Sequence, residues 1–384
     1  MKITIYCLCI VLLCSCGNNK PQQEQLPDKK IQVGYHKTIE TIMILRALSD
    51  DDYFLHRRAD TFKGRPMLYE ARKYFADYKD HPAVAETQRI LYDTRDIGGI
   101  MFQGVLYAEE LPGTSITHNI TNPYWFEHKI ELAEYMQLLG RFYTEANVAG
   151  FFEQQHDFYH GAISEARSYI NDSVTAVMED YFGKENAAYH MYILPISIYG
   201  WGFSATVPSA EGDIQYGIIS PVEDIDWDGN TDGRTTFGFG GAEAKAHYRE
   251  LVVHEFTHSF ITNLLEHEDF KKQIAQYDTL YTHMLDEAMQ ENGYGDWWGF
   301  VNEHLVRLGH IRVAEMYDAA EAAALRKTDV QEYKFVLLPD AEERIKQYEQ
   351  NRDKYKNIDS FLPVLIDQFG EFSKDMIDKR LEVE

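Results

Sequence analysis

Leu251-Val252-Val253-His254-Glu255-Phe256-Thr257-His258-Ser259-Phe260-Ile261-Thr262-Asn263-Leu264-Leu265 is the most informative run of the chain. Apolar residues cover most of its circumference at helical spacing, which predicts a helix buried on nearly all sides. His254 and His258 are four residues apart, so both imidazoles lie on one face within reach of a single ion. Glu255 falls on the adjoining stripe. Two imidazoles and a carboxylate inside a greasy helix are costly without partners, and a metal ion supplies them. The H-E-x-x-H order suits Zn²⁺, which takes neutral nitrogen ligands and keeps one coordination position open. An ion so held acidifies a water molecule and polarises a carbonyl. Glu255 is then placed to take the proton of that water and deliver it to a leaving amine.

A third ligand must come from elsewhere. A third histidine on the same segment would stand six residues past His258, after a glycine three residues past it, but the chain has Leu264 and Ile261 there. Glu266, His267 and Glu268 close the helix on a stripe that points away or lies too far along. Glu303 is the stronger candidate, an acidic residue on the otherwise apolar helix pattern from Trp297 to Arg307. Glu287 competes with it. Arg307 and His310 follow Glu303 at helical spacing, which makes them candidate stabilisers of a developing oxyanion. Tyr281, Tyr294 and Tyr317 are alternatives.

The remaining composition narrows the setting. The chain has 384 residues, 37 basic and 62 acidic, for a net charge of −25. A surface that negative repels phosphate backbones, which argues against nucleic-acid binding. After Lys2, an apolar run from Ile3 to Leu13 ends in small residues, as in a secretory signal. It is shorter than the about 20 residues needed to span a bilayer. Leu13-Cys14-Ser15-Cys16 resembles a bacterial lipobox. That implies a signal peptide over residues 1–15, an acylated Cys16, a flexible tether to residue 30, and one domain over 31–384. All four cysteines (Cys7, Cys9, Cys14, Cys16) lie in this segment, so no disulfide framework or Cys-ligated zinc site is expected.

Along the domain, Thr38–Leu48, Met67–Tyr78, Ala83–Tyr92, Phe126–Glu145 and Ala162–Tyr181 carry helical periodicity. Tyr189–Ile198, Gly202–Val207 and Ile214–Ser220 alternate as two or three strands. Residues 224–242 form a Gly/Asp loop. Helices return from about Glu243 to Leu265, Gln273 to Asn292, Trp298 to Arg326, Ala341 to Lys356, and from near Ile358. The fold expected is α+β, mainly helical, with a small sheet preceding the helix that carries His254.

That helix, followed by a second one bearing Asn302-Glu303, resembles the gluzincin class of zinc metallopeptidases. Together with the lipobox, the two helices resemble a group of largely uncharacterised Bacteroides-type lipoproteins with a predicted peptidase domain. The resemblance implies a zincin-like fold, Zn²⁺ on His254, His258 and Glu303, and Glu255 as the catalytic base. It also implies a peptide or protein substrate and a lipid-anchored place in the bacterial cell envelope, facing the periplasm or the cell surface. The alternative is a lipid-anchored glycan- or peptide-binding protein whose metal is structural or whose zincin site is degenerate.

Two weaker signals complete the inventory. Asp228, Asn230 and Asp232 match the opening of a Ca²⁺ loop, but Phe239 stands where the closing bidentate glutamate belongs, so a solvated turn is the better reading. Ile214–Ser220 is a candidate for pairing with an extended peptide at a sheet edge.

Overall fold

The computed structural model describes residues 29–49, 64–94, 97–118, 130–197, 202–241 and 244–382. The expected signal peptide, the lipidation site Cys16 and most of the tether lie outside the described residues. Lys29, assigned to the tether, belongs to the folded body: its Nζ donates to Glu179 Oε1 (2.9 Å) and to the Asn186 carbonyl (2.6 Å).

The fold class is α+β, mostly helical, with a four-stranded mixed sheet. Strand β1 (Gln32–Gly34) leads into α1 (Lys37–Leu48), α2 (Pro66–Tyr74), α3 (Pro82–Thr94), α4 (Leu132–Glu145), α5 (Val148–Gln154), α6 (His156–Tyr169) and α7 (Val174–Phe182). The sheet is completed by β2 (Ala188–Ile193), β3 (Gly202–Ser209) and β4 (Gly212–Ile219). Then come α8 (Ala244–Leu265), α9 (Glu268–Ala275), α10 (His283–Glu291), α11 (Trp297–Tyr317), α12 (Ala319–Lys327), α13 (Leu338–Gln350), α14 (Leu362–Asp367) and α15 (Lys374–Leu381).

One helix expected over Ala162–Tyr181 is two. Local polar chemistry breaks it after Tyr169, where the Asn171 side chain accepts the Ser173 N–H (3.1 Å) and Asp172 accepts the Ile31 N–H (2.9 Å). Such side-chain bonds offer the backbone an alternative to the helical ladder. The fourth strand, β1, went unpredicted because three residues are too few to show alternation.

Strand order is β1-β2-β4-β3, with β1, β2 and β4 parallel and β3 antiparallel to β4. This corrects the expectation that Ile214–Ser220 offers a free edge. β4 is bonded on both sides, by β2 and β3, and the edge strand that reaches α8 is β3. Alternation then decides the faces. Tyr189, Met191 and Ile193 are buried, and the Tyr189 ring meets Phe256 of α8 edge-on at 5.0 Å. Gly217 on the neighbouring strand leaves room for Met191, because a Cβ there would lie 2.4 Å from Met191 Cε.

The sheet thus packs under α8, and α11 packs beside it. A Cβ on Gly309 would meet Thr257 Cγ2 at 2.8 Å and Phe182 Cζ at 3.0 Å. The absence of that atom lets the two helix backbones approach closely. That contact brings residues 45 positions apart to one point.

Candidate metal centre

His254 and His258 project from adjacent turns of α8, and Glu303 reaches them from α11. His254 Nε2 lies 3.3 Å from Glu303 Oε1, and His258 Nε2 lies 3.7 Å from Glu303 Oε2. One ligand-capable atom from each residue lies within 4.8 Å of the other two, and no second group of this kind occurs among the described residues. Glu303 is 3% exposed, whereas the two imidazoles keep 18% and 17% of their surface. The group is therefore backed by core and open on one side.

Hydrogen bonding fixes how the rings present themselves. Thr262 Oγ1 donates to Asn302 Oδ1 (2.7 Å) and lies 2.9 Å from His258 Nδ1. Having spent its proton on Asn302, the hydroxyl accepts from His258 Nδ1, which leaves the Nε2 lone pair bare toward Glu303. Burial pushes the His258 imidazole down to about 4, so it is neutral near pH 7. Burial also works against charging His254, but the Glu303 carboxylate overrides it and raises that ring above its ordinary value. In Glu303 burial is outweighed by His254 and Arg307, which hold the carboxyl well below its usual range. An ionised carboxylate and two imidazoles whose Nε2 atoms face it supply the nitrogen/oxygen donor set of a three-ligand Zn²⁺ site. Chemically, the residues fit the ion.

Glu255 sits beside this group, 6% exposed. Burial pushes its carboxyl up to about 7. The first residue of the edge strand lies directly against it, since a Cβ on Gly202 would stand 2.4 Å from Glu255 Oε1. Any larger residue at 202 would have to displace the Glu255 carboxylate and the Leu251 side chain.

Other expected participants fall elsewhere. Glu287 has a side chain 69% exposed and sits near His283 (3.6 Å), away from the group. Glu266 pairs with Lys271 at 2.6 Å. His310 is 3% exposed and meets the His254 ring edge-on at 5.7 Å, behind the group and outside the ligand set. Arg307 is committed: its Nη2 lies 2.9 Å from Glu303 Oε1, its Nη1 pairs with Asp329, and its guanidinium covers the Tyr333 and Phe335 rings. Tyr317 donates to Glu321 (2.8 Å). Burial raises Tyr294, which shares the surroundings of Glu303 and Arg307.

In the Asp228–Asp232 loop, Asp228 Oδ1 accepts the Asn230 N–H (3.0 Å) and Asn230 Oδ1 accepts the Asp232 N–H (2.9 Å). Arg234 reaches the Asp226 carbonyl (2.8 Å) and Asp228 (3.5 Å). The Asp228 and Asn230 side chains are thus engaged by the loop's own N–H groups, as a solvated turn requires.

Sequence reasoning missed Thr262, Asn302, Gly202 and Asp329. Thr262 had a usable signal, since it stands one turn past His258 on the same face. Asp329 had none.

Fold and site together define an α+β protein with a His/His/Glu group at the junction of two packed helices. The chain belongs to the family described as Domain of unknown function (DUF4932), which it matches over residues 31–368. No curated protein and no solved structure matches it.

Proposed function

We propose that the protein is a zinc-dependent peptidase, held at a bacterial envelope membrane by lipid on Cys16. The observation that carries this reading is the convergence of His254, His258 and Glu303 on one point, with Glu255 adjacent and the group open on one side. When bound, Zn²⁺ supplies Lewis acidity to the scissile carbonyl and to the attacking water. His254, His258 and Glu303 would hold it.

Glu255 takes the proton as the water oxygen bonds to the carbonyl carbon. It then gives that proton to the amide nitrogen as the C–N bond breaks. A carboxyl raised to about 7 suits both transfers near neutral pH. Strand β3 begins against Glu255 and lies at the sheet edge, which supports alignment of an extended peptide along it. Part of that edge is taken, because Tyr107 donates to the Thr206 carbonyl at 3.4 Å.

The test is Glu255→Gln in the mature chain, assayed on a peptide library with metal content measured alongside. Cleavage is expected to fall about 10²- to 10⁴-fold while one Zn²⁺ per chain is retained. Wild-type protein that folds but takes up no metal, or cleaves no peptide, defeats the reading.

A further inference from the structure

We propose that Glu250 is a specificity-determining residue whose carboxylate receives a positively charged nitrogen of the peptide beside the metal centre. The inference rests on the peptidase reading above and adds the chemistry of its substrate.

The residues of α8 that keep contact with solvent mark a groove. His247, Glu250, Leu251, His254, His258 and Thr262 are all half-buried. At helical spacing they fall on one stripe roughly 120° wide. The apolar residues between them are buried. The stripe has two flanks. On one, β3 begins against Leu251 and Glu255, where a Cβ on Gly202 would stand 2.7 Å from Leu251 Cδ1. Glu250 stands on the other, one turn before His254 and about 6 Å from it along the helix axis. An extended peptide advances about 3.3 Å per residue, so a chain laid along the stripe meets Glu250 about two residues from the scissile bond.

The charge of Glu250 is unmet, unlike that of the acids near it. Glu321, with a side chain 2% exposed, pairs with Arg249 and accepts from the Tyr317 hydroxyl at 2.8 Å. Asp329 pairs with Arg307. Arg249 is turned to α12, where it also lies 3.7 Å from Asp318. Glu250 makes no hydrogen bond and no close ion pair among the described residues. Burial and then Glu321 raise its carboxyl above the ordinary value; Arg249 opposes them only in part, and Asp329 adds to the rise. A carboxylate so placed is best stabilised by a cation that the ligand brings, and it repels an acidic side chain.

The test walks one lysine through a neutral peptide with both ends blocked, against the same peptides carrying norleucine. A further set leaves the N-terminus free, which separates a side-chain ammonium from an α-ammonium. Two quantities are read: kcat/KM in the mature wild type, and Kd by fluorescence anisotropy in Glu255→Gln, where turnover is suppressed. The charged nitrogen is expected to be favoured about tenfold or more at one position in both. Adding Glu250→Gln, which keeps the shape, should bring that ratio near unity, and Glu250→Lys should turn the preference to glutamate. A preference carried by the free N-terminus alone, and lost in Glu250→Gln, identifies the α-ammonium as the occupant.

No preference for a charged nitrogen of either kind, or a preference that survives Glu250→Gln, overturns the proposal while leaving the metal reading intact. Wild-type protein that cleaves none of these peptides, yet binds the charged ones through Glu250, overturns the peptidase reading and supports the cation site.

Discussion

Glu303 and Glu40 are both buried glutamates, 3% and 0% exposed, and their surroundings drive them to opposite states. Glu40 lies on α1 and pairs with the Tyr159 hydroxyl, with no cation beside it among the described residues. Burial pushes its carboxyl up to about 8, so it is protonated at neutral pH. Glu303 faces His254, His258 and Arg307, which together outweigh burial and keep it ionised. Burial alone therefore makes a glutamate a neutral hydrogen-bonding group. Only an assembled set of neighbours that favour its charge keeps it ionised and able to serve as a ligand.

The sharpest way to break this contrast is Glu303→Gln. Removing one member of a buried charge set should cost about 3–5 kcal/mol of folding stability in the metal-free protein, read from urea unfolding. Zn²⁺ uptake should fall in parallel, measured by competition with a chromogenic chelator. A variant with wild-type stability and affinity would place Glu303 outside the site.

Thr262→Val removes the hydroxyl that orients His258 and leaves the ligands in place. Metal affinity is expected to fall about 10- to 100-fold, measured by the same competition. An unchanged affinity would mean the His258 ring is held by packing alone.

Glu40→Gln sharpens the other half of the comparison. The folded carboxyl titrates near 8 and the unfolded one near its ordinary 4.5, so the folded state binds the proton more tightly. The stability this contributes is complete below pH 4.5 and is lost as pH rises toward 8. The slope is roughly 1.4 kcal/mol per pH unit within that window. Glutamine should abolish this component, so the urea midpoint of the variant should gain on wild type steadily from pH 5 to pH 8. Parallel pH profiles would show that Glu40 is ionised in the fold.

The smallest effect is expected at the oxygen-rich loop. Asp228 has a side chain 72% exposed, and its contacts are to its own loop and to Arg234. Asp228→Ala should change stability by no more than about 0.5 kcal/mol, with no response to added Ca²⁺. A Ca²⁺-dependent rise in melting temperature in wild type, lost in the variant, would restore the ion reading.

Much of the candidate site was legible because its residues repeat at helical spacing. His254, Glu255 and His258 announce themselves within five residues, and Glu303 stands out as one acid on an apolar helix. Arg307 and His310 were correctly placed on the Glu303 helix but not in their contacts. Position along a helix gives a face, and what lies across from that face depends on another element. The loop at Asp228–Asp232, read as a solvated turn, shows the reverse case. Its side-chain order imitates an ion loop, and only three dimensions reveal Arg234 among the oxygens.

Local sequence, then, determined which elements form: periodicity set the helices, alternation set three of the strands, and a buried stripe of imidazoles marked the site. Those are properties of neighbours along the chain, where spacing alone fixes geometry. Only the tertiary structure decided that β3 is the edge, that Gly309 lets α11 close on α8, and that Asp329 anchors Arg307 against Glu303. Such contacts join residues far apart in sequence, and they are selected by packing and charge balance in the assembled core, for which no short run of residues holds a pattern.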